Sequence, residues 1–376
     1  MQSMKPRWSR GKAFAILIAL LVAVGGIVWL VISLFSGGES TGVSAHLLPC
    51  AYNETLKPFG RYVLYYDGRS IHCMSERGGV RWSFQIGADA GFDCDENVVV
   101  AWAGHTVYIL DSNGNSTYND DLGAVIQFAR AGKQYVAAIV GDTASPRLIV
   151  KDHSGAQMDE EADAYANLIM LDVGFYGKNG EYMWTLALDV FGTAANTLLN
   201  TYEVGTMNTG EVSLGDSITY GVLYENSILR VIGTRKILAF NYRGTEDVTQ
   251  SVLVYGWRMI GNEIPDRGDA LMLFAPTSQT ENIFDIRELR VISASADKRL
   301  SLPDTCVGAS IWNKTVYAMS ERYLYSAGMN DSKFTKYELP LETAVTRFIG
   351  TLSNGYALVA CNENVYTVSL PKKSGS

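Results

Sequence analysis

YVLYYDGRSIHCMSERGGVRWSFQIG (residues 62–87) and VVVAWAGHTVYILDSNGNSTYNDDLG (98–123) align without a gap at an offset of 36. Each opens with an apolar run and reaches a tight turn at Gly68 or Gly104. A second apolar run leads to a polar turn with Gly78 or Gly114, and a last strand ends at Gly87 or Gly123. Runs of about five apolar or alternating residues, punctuated by Gly and Asn, are what strands joined by hairpins require. The unit therefore reads strand, hairpin, strand, hairpin, strand.

The same pattern returns as YVAAIVGDTASPRLIVKDHSG (135–155), ILRVIGTRKILAFNYRG (228–244), TVYAMSERYLYSAG (315–328) and YALVACNENVYTVSL (356–370). Two less regular copies surround residues 182–211 and 270–293. Eight units of roughly 40 residues, each of about four strands, predict an all-β fold, a β-propeller of eight blades. Dividing residues 160–305 differently gives seven. A lone blade cannot bury both faces of its sheet, so the apolar runs are read as core between blades. The last unit supplies three strands near 345–350, 356–360 and 365–370. Its missing outer strand is expected from VSAHLL (43–48), joining the two chain ends in one blade and hiding the sheet edges.

Ahead of the propeller, AFAILIALLVAVGGIVWLVISLF (13–35) holds 23 residues with no charge and no proline. As a helix it would span roughly 34 Å, enough to cross a hydrocarbon core of about 30 Å. Lys5, Arg7, Arg10 and Lys12 precede it, and only Glu39 lies close behind. The basic flank predicts a single-pass cell-membrane protein with a cytoplasmic stub (1–12), a transmembrane helix (13–35) and a Gly/Ser-rich linker (36–42). The propeller (43–371) is then extracytoplasmic, and 372–376 is a disordered tail. A cleaved signal peptide fits less well, because the apolar run is too long and Val43-Ser44-Ala45 lies well past its end.

Beyond the basic stub the chain carries 27 Lys and Arg against 39 Asp and Glu, a net charge of −12. Nucleic acid and anionic lipid surfaces need a basic footprint, so this balance argues against both as partners. Five cysteines (Cys50, Cys73, Cys94, Cys306, Cys361) without a C-x-x-C are too sparse for a disulfide scaffold or a zinc knuckle. They read as small buried hydrophobes, with room for one bridge.

The turn-strand unit SERGGVRWSFQIG (75–87) resembles the blade motif of quinoprotein-like propellers, in which a Gly turn precedes a Trp that wedges between blades. Trp82 matches that Trp. In the second unit Ser116 or Thr117 falls near the equivalent place, which reads as a degraded motif. Overall the chain resembles membrane-anchored quinoprotein-like propeller proteins of Gram-positive bacteria. More distantly, it resembles the propeller lipoprotein of the outer-membrane barrel-assembly machine. The resemblance implies a scaffold that binds other proteins. Quinone enzymes of this kind hold their cofactor against a disulfide of adjacent cysteines, and no two cysteines are adjacent here.

No catalytic, metal or cofactor residue is therefore assigned. Asp111-Ser112-Asn113-Gly114-Asn115 has alternating oxygen ligands, but its Gly is misplaced for a calcium loop and no Glu follows at the twelfth position. It reads as a hairpin turn. His46, His72, His105 and His153 have no metal-ligand spacing, with His105 and His153 placed in turns, and no G-x-S-x-G is present. Asp159-Glu160-Glu161 and Asp163 read as a solvated loop between blades, or as a patch for a basic partner. The expectation is a non-catalytic propeller with a protein or peptide partner on its face. A glycan- or ligand-sensing propeller is the alternative, with a quinoprotein-like enzyme behind it.

Overall fold

The computed structural model describes residues 42–372 other than 54, 207–208, 242–243, 266–268 and 278–284. The apolar segment 13–35, its basic flank, nearly all of the linker and the tail beyond residue 372 lie outside the described residues. No helix among the described residues is long and apolar enough to cross a membrane.

Residues 44–372 form one compact unit of eight four-stranded antiparallel sheets. Blades 1 to 7 comprise residues 57–85, 91–121, 126–161, 169–213, 219–253, 257–306 and 308–338. Blade 8 takes three strands from 347–369 and its outermost from Ala45–Ala51, paired antiparallel to Asn364–Ser369. The expected joining of the chain ends is thus present. Two serines fasten its start: Ser369 donates its backbone N–H to the Ser44 carbonyl, and the Ser44 hydroxyl meets that of Ser369 at 3.0 Å. The second and third strands of most blades lie where the apolar runs predict them, whereas several first strands carry no such run. In blade 1 that strand is only Lys57–Phe59.

The apolar runs are continuous because both faces of each sheet are covered. In the second strand of blade 2, Val98 and Val100 join the cluster shared with blade 3, while Val99 and Ala101 join the one shared with blade 1. In blade 3, Val136 and Ala138 face back toward blade 2, and Ala137 and Ile139 face forward to blade 4. Successive side chains on a strand point to opposite faces, so an uninterrupted apolar run is what two buried faces demand. Comparable clusters join blades 4 and 5, 5 and 6, 6 and 7, and 8 and 1.

A second device locks the blades at their rims. Trp82, on the outer strand of blade 1, lies on Gly114 in the next blade's last turn and donates its indole N–H to the Ser112 carbonyl at 3.0 Å. The equivalent residue in blade 2, offset by 36, is Tyr118 rather than Ser116 or Thr117. It covers Gly155 of blade 3 in the same way, while Thr117 donates to the His153 carbonyl at 2.9 Å. The motif is therefore kept with another ring. Pro49 on Gly78, Met158 on Gly205 and Val212 on Gly244 continue the series with smaller contacts. In blade 6, Lys298 reaches across instead, donating to the carbonyls of Met329 and Asp331.

Gly114 has φ +79°, and a Cβ there would come within 2.4 Å of Trp82. Gly123 has a similar φ of +74° with nothing within 4 Å. Gly114→Ala should lower stability by about 2–3 kcal/mol in chemical denaturation, against about 1 kcal/mol for Gly123→Ala, because only the first also displaces a packed ring. Equal losses would contradict the docking role of Trp82. Leu48→Ala, which empties a buried position supplied by the N-terminal strand, should cost about 2–4 kcal/mol. A loss under about 0.5 kcal/mol would mean that closure contributes little to the ring.

Candidate functional site: the axial channel and the loop faces

The first strands of blades 2 to 4, and those of blades 6, 7, 8 and 1, lie against their neighbours around the axis. Four of them carry alternating charge: Lys57, Asp93, Arg130 and Asp172 in blades 1 to 4. Lys57 Nζ is 3.0 Å from Asp93 Oδ1. The other Asp93 oxygen accepts the Ala131 N–H of blade 3 at 3.2 Å, and Arg130 Nε lies 2.8 Å from Asp172 Oδ1. These contacts stitch four successive blades at their inner edges. Burial pushes the Asp172 carboxyl above the usual carboxylate range, against the pull of the Arg130 guanidinium. The belt went unread because its members stand alone among polar residues. A trace of it was present: Lys57, Asp93 and Arg130 each lie five residues before the start of a second strand, at Tyr62, Val98 and Tyr135.

The other half of the channel differs. The first strands of blades 6, 7 and 8, with blade 1, bound a cavity of about 890 Å3. Its walls include Ile260, Phe348 and Ile349, and Glu96 and Glu263 also line it. Ser310 and Thr351 face each other with hydroxyl oxygens 2.7 Å apart. Strand bulges at Met259/Gly261 and Phe348/Gly350 place glycines toward the cavity, so the wall recedes there. Gly60, Glu96, Asn313 and Ser353 sit at or beside the turns between first and second strands, so the cavity lies toward that end of the ring. Ser44 enters the ring at the same end, beside Ser369.

The opposite end is built from the connections between blades and the hairpins between second and third strands. Backbone hydrogen bonds tie these together: Thr234 N–H to the Ile218 carbonyl, Val254 N–H to Arg235, and Thr277 N–H to Gly256. Along blades 4 to 6 this end displays large apolar side chains. Phe191, in the blade 4 hairpin, is 70% exposed and Ile218, in the next connection, 67%. Leu253 and Tyr255, at the step from blade 5 to blade 6, are 67% and 79% exposed. Val190 adds to the Phe191 hairpin. Sequence reasoning could not find this patch, because Val190-Phe191 and Leu253 look like any core run.

The other singled-out residues have structural partners. Asp111 accepts the N–H groups of Asn113 and Asn115 within its own turn, the reading preferred over a calcium loop. Asp159 is not in a solvated loop. It is buried on the outer strand of blade 3 and accepts the Gly205 N–H of blade 4 at 2.7 Å. The reason is positional, since in blades 1 to 4 the fourth strand carries a residue that meets the next blade's turn. Glu160 pairs with Arg147 at 2.8 Å, and Asp163 is exposed. His72 stacks on Tyr65 and meets Asp67 at 2.9 Å, and hydrogen bonds led by His72 pull the Asp67 carboxyl down to about 2. The five cysteines are free, and burial pushes Cys73, Cys94 and Cys306 up to about 12 and Cys50 to about 11. No group of three or more metal-ligating side chains is present among the described residues.

The sign of the Asp172 shift gives a test. A carboxyl whose folded pKa is raised opposes folding once it ionises, so its stability contribution is full below about pH 3.9 and is lost as pH rises through the folded value. Arg130→Met removes the cation that offsets this. The variant should lose stability on the order of 1 kcal/mol near pH 7 and distinctly less near pH 4, measured by denaturation at both values. A loss independent of pH would show that Arg130 acts through packing alone.

No protein-family model matches the chain, and no curated protein matches it. Solved structures similar to it include BamB from Moraxella catarrhalis, at 10% identity, covering 89% of this chain and 100% of that one, with a TM-score of 0.54. The Pan2 WD40 domain of Neurospora crassa is 9% identical over 76% of this chain and 89% of its own, with a TM-score of 0.47. The Swd1 propeller domain of Myceliophteria thermophila is 12% identical over 78% and 99%, also at 0.47. At these identities the likeness is one of fold.

Proposed function

We propose that the chain is a non-catalytic, protein-binding scaffold of the cell envelope, tethered to a membrane through residues 13–35 with its propeller outside. The observation that carries this reading is the set of exposed apolar side chains at one end of blades 4 to 6. Phe191 projects from the blade 4 hairpin, and Ile218, Leu253 and Tyr255 lie at the blade connections, where backbone hydrogen bonds hold the chain at Ile218, Val254 and Gly256. Exposed apolar groups with aromatic anchors are what protein interfaces use. The chain enters the ring at the other end, beside Ser369, which leaves this face clear of the entry point. The acidic balance of the ectodomain favours a partner with basic residues around its own apolar anchor.

A photo-crosslinking residue placed in living cells at Phe191 or Tyr255, and at Lys133 on the opposite end as control, tests this. The reading predicts a discrete protein adduct from 191 and 255, lost when Ile218→Asp is added, and none from 133. Adducts of equal yield from all three positions, or from none, would overturn it.

A further inference from the structure

The axial cavity stands apart from the apolar loop face and has chemistry of its own. At about 890 Å3 it lies within the roughly 300–1,000 Å3 typical of small-molecule sites. Its accessible apolar lining is Ile260, Ile349, Phe348 and Trp312, beside the polar Asn262 and Thr351. Trp312 is fixed in place, donating its indole N–H to the Ser353 carbonyl at 3.2 Å and packing on Gly355.

Among the described residues no lysine, arginine or histidine lines the cavity, whereas two carboxylates do, Glu96 from blade 2 and Glu263 from blade 6, on opposite sides of the ring. One Glu263 oxygen accepts the Lys314 backbone N–H at 2.9 Å. Neither carboxylate is in an ion pair among the described residues. The contrast with the other half of the channel is direct, because there Asp93 and Asp172 are each matched by a cation.

We propose that this cavity is a binding site for a small organic cation with an apolar body. The apolar wall would take the body, and the aromatic faces together with the carboxylates would take the positive head. A cation over an aromatic face is attracted by the ring quadrupole, more strongly where water is excluded, and two carboxylates outside any ion pair among the described residues add Coulomb attraction of the same sign. An anionic ligand meets the same two charges as repulsion.

Three probes sharing one apolar body separate these contributions: 3-phenylpropylammonium, the neutral 3-phenylpropanol and the anionic 3-phenylpropanoate, each titrated calorimetrically into the full chain. The ammonium should bind at least tenfold more tightly than the alcohol, and the carboxylate should not bind. Glu263→Gln should bring the ammonium within about threefold of the alcohol and leave the alcohol unchanged. Gly261→Leu fills the cavity at a position where a Cβ meets nothing nearer than 3.9 Å. It should abolish binding of both while the melting temperature holds. Equal affinity for ammonium and alcohol, no binding of the ammonium at millimolar concentration, or binding that survives Gly261→Leu would overturn the proposal. None of these results bears on the loop face, which is read by crosslinking.

Discussion

Every blade of this protein is a sheet that is apolar on both faces, and that constraint decides the architecture. A sheet with one wet face can stand at the edge of a domain. A sheet with Val98 and Val100 on one side and Val99 and Ala101 on the other cannot. Each such sheet needs a neighbour on both sides, and so does that neighbour in turn. The arrangement that ends without an exposed face is a ring, and the ring needs its last blade completed. The strand Ala45–Ala51, drawn from the start of the chain onto Asn364–Ser369, completes it. Burial at the interfaces supplies the driving force, and the rim contacts of Trp82, Tyr118 and Asp159 set the position of each blade on the next.

The functional surfaces follow from what the ring leaves over. Strands committed to burial have no freedom to carry chemistry, so variation falls to the inner edges and to the two sets of turns. On the inner edges, blades 1 to 4 close on themselves through alternating charge, and blades 6 to 8 recede around bulges and glycines to leave a cavity. On the turns, blades 4 to 6 expose aromatic and aliphatic side chains at one end. The buried pair of Glu225 and Arg230, which also engages Ala270 of blade 6 and Gln250, belongs to the scaffold and not to a site.

The legibility of the fold in the sequence tracks burial closely. The runs at 62–66, 98–103 and 135–140 announce themselves because both faces are buried and every position is apolar. The first strands do not: Lys57–Phe59 is three residues long, and the channel strands mix Gly, charge and bulges with no period to read. Trp82 was legible as a docking residue, while Tyr118 was not, because a tyrosine in a polar strand carries no positional mark. Asp159 looked like a loop acid for the same reason, since its burial is imposed by blade 4 and not by its own neighbours in sequence. The apolar face around Phe191 and Tyr255 depends on which hairpins share an end of the ring, and composition does not encode that.

The central claim is that eight doubly buried blades, closed by the two chain ends, behave as one cooperative ring. Native-state hydrogen exchange across the second and third strands of all blades measures this directly. A single closed ring predicts that Ala45–Ala51 and Asn364–Ser369 open only with the global transition, with the same free energy and denaturant dependence as Val98–Ala103 and Tyr135–Val140. Exchange in 45–51 at a much lower free energy, with the remaining blades still protected, would show that the N-terminal strand decorates the propeller and does not close it.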